Sequence, residues 1–216
     1  VWSINKYVTF VKTIDPKTGE LIGRNPPSIS DGAMFCPSML GGRSWNAGSF
    51  NPDTGVWFNS RQEMCEVAKV RPERPPTEGL PGWYAGADLQ WVHPPGDKAH
   101  GAIDAWDPFT GKKKWTVPDK YPRISGILST KGNLVFSGDM RGYIYAYDAA
   151  SGTELWRFNM GSASRGGIVS YMAGGEQYIL APSGIGSAAQ PIVGSLYPEV
   201  AEFPTGAALF AFKVPR

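Results

Sequence analysis

The sequence predicts an all-β chain of repeated antiparallel sheets, on three observations. It is crowded with helix breakers, its apolar residues alternate with period 2, and one turn phrase returns after 41 residues. The 216 residues include 27 Gly and 19 Pro. In a helix interior these cost about 1 and 3 kcal/mol each, so a helical bundle is disfavoured. With 42% hydrophobic and 12% aromatic residues the chain can bury a substantial core, which excludes wholesale disorder.

Other classes fall away on composition. A net charge of +2 leaves no basic field for a phosphate backbone, and the blocks "GKKKW" and "VRPERP" are too short to restore one. No uncharged apolar run reaches the length of a membrane helix. Val1 opens the chain without an initiator Met or a signal-peptide pattern, so it reads as processed or truncated. Cys36 and Cys65 lack the close spacing of a zinc site, which leaves one bridge or two free thiols. Dinucleotide-binding, P-loop and C-x-x-C-H haem motifs are absent from the sequence.

The strands are clearest in "GNLVFSGDMRGYIYAYDAASGTELW", where Tyr143, Tyr145 and Tyr147 alternate with Ile144 and Ala146. The loops around Gly138–Gly142 and Asp148–Gly152 are short enough for hairpins, so a meander is expected. The phrase A-x-D-x-x-x-G-x-x-x-W occurs at Asp107, Gly111 and Trp115 and again at Asp148, Gly152 and Trp156. Weaker copies stand at Asp15 and Gly19 and at Asn51 and Gly55, neither with the Trp. A period near 40 with strand content predicts a β-propeller, and the copies suggest about four blades. Asp15, Asp107 and Asp148 are read as turn formers, and Trp115 and Trp156 as packing residues.

Two stretches interrupt the pattern. Residues 69–100 hold six prolines and little periodicity, and read as a Pro-rich loop inserted between blades. His93 and His100 lie there without a third ligand or nucleophile and are expected to be solvent-exposed. Gly184 to Thr205 is a second loop-rich excursion before the final strand "GAALFAFKV".

The Trp phrases, the segment "MFCPSMLGGRSWNAGSFNPDTGVWF" and the closing "GAALFAFKVP" resemble the alcohol dehydrogenases that depend on pyrroloquinoline quinone (PQQ). The resemblance covers nearly all of residues 1–216 and matches the C-terminal portion of that family. It implies about four blades of an eight-bladed ring of tryptophan-docking repeats. A companion chain or a cleaved N-terminal half is then expected to supply the missing blades, because open sheet edges are an aggregation hazard. Cys36-Pro37-Ser38 and Cys65 match a family pattern in which the two cysteines pair. Such a bridge implies an oxidising compartment, and a periplasmic or otherwise secreted location is expected.

The resemblance also implies chemistry. An alcohol is oxidised to an aldehyde by hydride transfer to PQQ, a calcium or lanthanide ion polarises the quinone carbonyl, and electrons leave to a cytochrome c. The catalytic Asp and the metal ligands are expected in the missing half, so this chain is assigned no catalytic and no metal residue. Its expected cofactor-binding residues are Lys6, Ser44, Trp45 and Ile124. Lys6 resembles the basic residue that meets the quinone oxygens. Ser44 stands where the family has Asn, with Trp45 beside it, and Ile124 replaces a family Trp, keeping apolar contact but losing the indole donor. "GIGSAAQ" resembles the last cofactor-side loop without its Trp. The alternatives are a non-catalytic propeller scaffold and a PQQ-dependent sugar or polyol dehydrogenase.

Overall fold

A computed structural model describes residues 5–26, 32–43, 45–71, 86–96, 100–185 and 189–213. Among them the strands run β1 (Thr13–Ile14), β2 (Leu21–Ile22), β3 (Ala33–Phe35), β4 (Ser49–Asn51), β5 (Val56–Gln62), β6 (Cys65–Val70), β7 (Ala87–Val92) and β8 (Gly101–Asp107). They continue as β9 (Lys112–Asp119), β10 (Ile127–Ser129), β11 (Leu134–Gly138), β12 (Tyr143–Asp148), β13 (Glu154–Asn159), β14 (Val169–Ala173) and β15 (Glu176–Ser183). Helix α1 (Ala189–Leu196), a 3-10 turn (Pro198–Glu202) and β16 (Ala208–Lys213) follow. The chain divides into two compact units, residues 1–42 with 63–97 and residues 43–62 with 98–216.

The first unit holds the ribbon β1-β2 and the antiparallel sheet β3-β6-β7. A disulfide joins Cys36, just after β3, to Cys65, the first residue of β6, which removes the free-thiol alternative. Both cysteines are buried. Closing a loop with a sequence separation of 29 constrains the unfolded chain by about 3 to 4 kcal/mol. The expected loop at 69–100 is corrected in part: Lys69 and Val70 complete β6, and β7 pairs with it from Cys65↔Val92 to Val70↔Ala87. The short alternation of "ADLQWV" is masked in the sequence by its Pro- and Gly-rich flanks. Residues 72–85, which hold most of those prolines, lie outside the described residues.

The second unit contains three antiparallel sheets, β4-β5-β8-β9, β10-β11-β12-β13 and β14-β15-β16. Alternation feeds two separate cores. Tyr145 and Tyr147 join Val56, Phe58, Ile103 and Val135 between the first two sheets. Ile144 and Ala146, on the opposite face of β12, join Phe136, Ile179 and Ala181 between the second and third. A strand buried on both faces explains why "YIYAYD" carries no charge before its terminal Asp148. The leading strands meet: Ser49 and Ser129 share a hydroxyl hydrogen bond of 2.6 Å across β4 and β10. The outermost strand β13 is exposed throughout.

All four turn phrases adopt one geometry. The side-chain oxygen of Asp15, Asn51, Asp107 or Asp148 accepts two backbone N–H groups in its own turn. The Gly four residues on donates to the same residue's carbonyl at 2.8–2.9 Å. These glycines sit at φ of 66–75°, where a β-carbon is strained. The copies do not map one to a sheet, however. The Asn51 turn joins β4 to β5 and the Asp107 turn joins β8 to β9, both in the same sheet. The gap between them is filled by β6 and β7, which belong to the other unit.

Trp115 has the packing role expected of it. Its indole N–H donates to the Ala149 carbonyl at 3.0 Å, and its ring lies where a β-carbon on Gly152 would be 2.8 Å from Cε3. The Trp of one phrase therefore docks on the Gly of the next. Trp156 packs edge-on against Phe212, with ring centroids 5.3 Å apart, and stays partly exposed. Two further expectations are corrected. The 184–205 excursion contains α1, hidden in the sequence by Pro191 and Gly194 and anchored by buried Val193 and Tyr197. His93 is exposed as expected, but His100 is buried beside the Tyr197 ring, centroids 5.4 Å apart.

Candidate functional site

In the second unit the loops leading into the three first strands converge. Trp45, Arg123 and Arg165 each stand four residues before β4, β10 and β14, respectively. The Ile127 N–H donates to the Ala47 carbonyl at 2.9 Å, and the Gly126 N–H to the Gly166 carbonyl at 3.2 Å. Asn46, buried, donates its amide to the Arg165 carbonyl at 2.7 Å. One rim is thus stitched from three loops. Glycine is required where they meet, since a β-carbon on Gly126 would lie 3.1 Å from the Gly167 Cα and one on Gly166 would lie 2.5 Å from Pro182.

Trp45 is 67% exposed on this rim, an unusual position for the largest apolar side chain. The Arg165 guanidinium lies over its ring, 5.3 Å from the centroid. Arg165 is half-buried. Asn46 Oδ1 is buried and has no hydrogen-bond partner among the described residues, an acceptor at the base of the loop.

Arg123 sits at the equivalent place but is consumed by the fold. It pairs with Asp119 at 2.8 Å and donates to the Gly138 carbonyl at 2.8 Å and the Tyr147 hydroxyl at 3.3 Å. Burial works against its charge, but Tyr147, Asp119 and Asp139 outweigh this and hold the guanidinium above its ordinary value. Beside it, the Tyr145 hydroxyl donates to Asp139 at 2.9 Å. Burial first, and then the Asp139 charge, raise that phenol well above its usual range. This cluster braces β10, β11 and β12, and the Arg123 guanidinium and the Tyr145 phenol both keep their protons at neutral pH.

The expected site residues divide as follows. Trp45 and Ile124 lie on adjacent loops of the rim, Trp45 open and Ile124 buried at 4% exposure. Lys6 belongs to the first unit. It is exposed, its ammonium 5.2 Å from the Tyr7 ring centroid, while its backbone N–H donates to buried Glu63 at 2.8 Å. Ser44 lies outside the described residues. Arg165 and Asn46 were missed by the sequence reading. Aligning the loops by their distance to the next strand would have found Arg165, because "GSASRGG" places one charged residue at the Trp45 offset. Among the described residues no three His, Cys, Asp or Glu side chains gather as a metal site, and no helix is long and apolar enough to cross a membrane.

The fold and rim define a β-propeller segment whose first strands present an aromatic and cationic edge. Residues 117–179 match the family model described as glucose/ethanol/alcohol dehydrogenase PQQ β-propeller domain. The quinoprotein ethanol dehydrogenase of Pseudomonas aeruginosa is 31% identical over 96% of this chain and 34% of its own length. The lanthanide-dependent methanol dehydrogenase of Methylorubrum extorquens is 34% identical over 70% of this chain and 25% of its own. Among solved structures, a europium-containing methanol dehydrogenase superposes with a TM-score of 0.83 at 25% identity, over 96% of this chain and 40% of that one. The chain belongs to the PQQ-dependent alcohol dehydrogenase β-propeller family. It spans about a third of the length of its curated relatives.

Proposed function

We propose that this chain forms one wall of the cofactor site in a PQQ-dependent alcohol dehydrogenase. The carrying observation is the convergence of three first-strand loops, one bearing an exposed indole and the other two meeting through glycine. PQQ is a flat fused ring bearing carboxylates and vicinal carbonyls. The rim fits such a group: Trp45 offers an aromatic face, Arg165 a positive charge, and the glycine backbones a surface without side chains to hold a ring off. When bound, PQQ supplies the hydride acceptor for the alcohol.

The chain's own residues bind, orient and exclude water. Trp45 covers part of the ring by stacking. Buried Ile124 keeps the loop behind it dry, a smaller apolar plug than an indole. The resemblance assigns Lys6 a charge suited to quinone oxygens and Ser44 a polar role in cofactor binding. No proton transfer is assigned to this chain; the catalytic Asp and the calcium or lanthanide ligands belong to sequence beyond it.

The remaining blades come from further polypeptide, and an alcohol is the substrate. The disulfide suits an oxidising, periplasmic setting, and a cytochrome c takes the electrons. Native mass spectrometry of the whole assembly tests this reading. We expect a mass larger than this chain accounts for, together with bound quinone. An assembly that takes up no PQQ in the presence of calcium or a lanthanide would instead indicate a scaffold.

A further inference from the structure

The first unit buries an acid that has no counter-ion among the described residues. Along β6, alternation turns Glu66, Ala68 and Val70 to one face of the sheet β3-β6-β7, where their cross-strand neighbours are Phe35, Leu89 and Ala87, respectively. With Met39 and Gly86 these residues line an open cavity of about 510 Å³. Glu66 is the one charged residue among them, and it is only 6% exposed. Its Oε2 is buried without a hydrogen-bond partner. Burial pushes the carboxyl above its ordinary 4.5, and the Met39 N–H offsets this only in part. The charges nearest in sequence are turned away: Lys69 stands opposite Asp88 on the other face, and Arg71 pairs with Asp88. An acid buried this way is costly unless a cation meets it. The apolar walls suit the methylene stem of a long cationic side chain, and the orphan oxygen suits its head.

We propose that this cavity receives a lysine or arginine side chain from the polypeptide that completes the ring, and that Glu66 is its counter-ion. This rests on the function proposed above, in which the remaining blades come from beyond residues 1–216. The curated relatives, of which this chain spans about a third, have the length to supply them. The β6-β7 hairpin then serves as a docking element: its apolar face excludes water from the pair, and the low local dielectric strengthens it.

The test is the sign of one substitution in the full-length protein. E66Q keeps the size of the side chain and removes its charge. With a cation seated against Glu66, the neutral amide leaves that cation buried and unpaired. E66Q should then melt at a lower temperature, and its β6 and β7 amides should exchange about 10- to 100-fold faster than in wild type. With no cation in the cavity, E66Q removes only an unpaired buried acid, so melting and exchange should hold or improve, and that result overturns the proposal. Should E66Q fail to fold, a crystal structure of the wild-type assembly decides. A lysine or arginine nitrogen from outside residues 1–216 within about 4 Å of Oε2 supports the pair. An apolar side chain, an empty cavity or a group from a second copy of this chain in that place overturns it. A native assembly with no mass beyond this chain overturns instead the reading on which the proposal rests.

Discussion

Asp148 holds its turn by accepting the N–H groups of Ala150 and Ser151 at 3.0 and 2.8 Å, and Asn51 does the same work in its own turn with a carboxamide. The protein therefore contains its own control. Asp148→Asn should cost little at neutral pH, whereas Asp148→Ala should lower the melting temperature clearly, since two N–H groups lose their acceptor. The Ser151 hydroxyl, and after it the Ser151 N–H, hold the Asp148 carboxyl below its ordinary 3.8. A carboxyl lowered in the folded state contributes stability that is present above pH 3.8 and lost as pH falls through the lower folded value. Thermal melts of wild type and Asp148→Asn should thus converge on acidification below that value; a difference that persists or grows there would show that charge is not what the carboxylate contributes.

At the scale of elements, the docking of Trp115 on Gly152 ties the first sheet of the second unit to the next. Trp115→Ala should cost about 3 kcal/mol, the low end for a large aromatic because the ring is only half-buried. Gly152→Ala should cost about 1 to 2 kcal/mol from its left-handed backbone alone, and more from the clash with the ring. The two losses should be less than additive in a double-mutant cycle followed by chemical denaturation, and full additivity would mean that the ring does not rest there. In the first unit, replacing Cys36 and Cys65 together by Ser should lower stability by about 3 to 4 kcal/mol, and reduction of the wild type should reproduce the loss. Strands with two buried faces, such as β12, were legible because both cores write their pattern into one alternating run. Short strands embedded in proline, such as β7, were not, since six residues cannot establish a period against those flanks. The helix α1 escaped for the opposite reason: its stability comes from Val193 and Tyr197 packing, while its own sequence contains Pro191 and Gly194. On the rim, Trp45 and Ile124 were named from the resemblance alone, whereas Arg165 was legible only by aligning the loops on their next strands, an offset that gains meaning once the fold brings that loop beside Trp45.

At the scale of the whole molecule, the loops before the first strands of the second unit's sheets converge on one rim. The leading strands and their loops touch, the second and third strands fill the cores, and β13 faces outward. Such a design lets neighbouring sheets each lend one loop to a common centre, and the chemistry of that centre depends on how many sheets surround it. Among the described residues the third sheet, β14-β15-β16, has three strands where its two predecessors in the second unit have four, with β16 at its edge. On this account the activity belongs to the complete ring and the wall described above contributes binding. The most direct measurement is alcohol-dependent reduction of an artificial electron acceptor by the full-length protein, supplied with PQQ and either calcium or a lanthanide. We expect turnover that requires the quinone, the ion and the alcohol together; a correctly folded, complete protein that reduces no acceptor under those conditions would contradict the assignment.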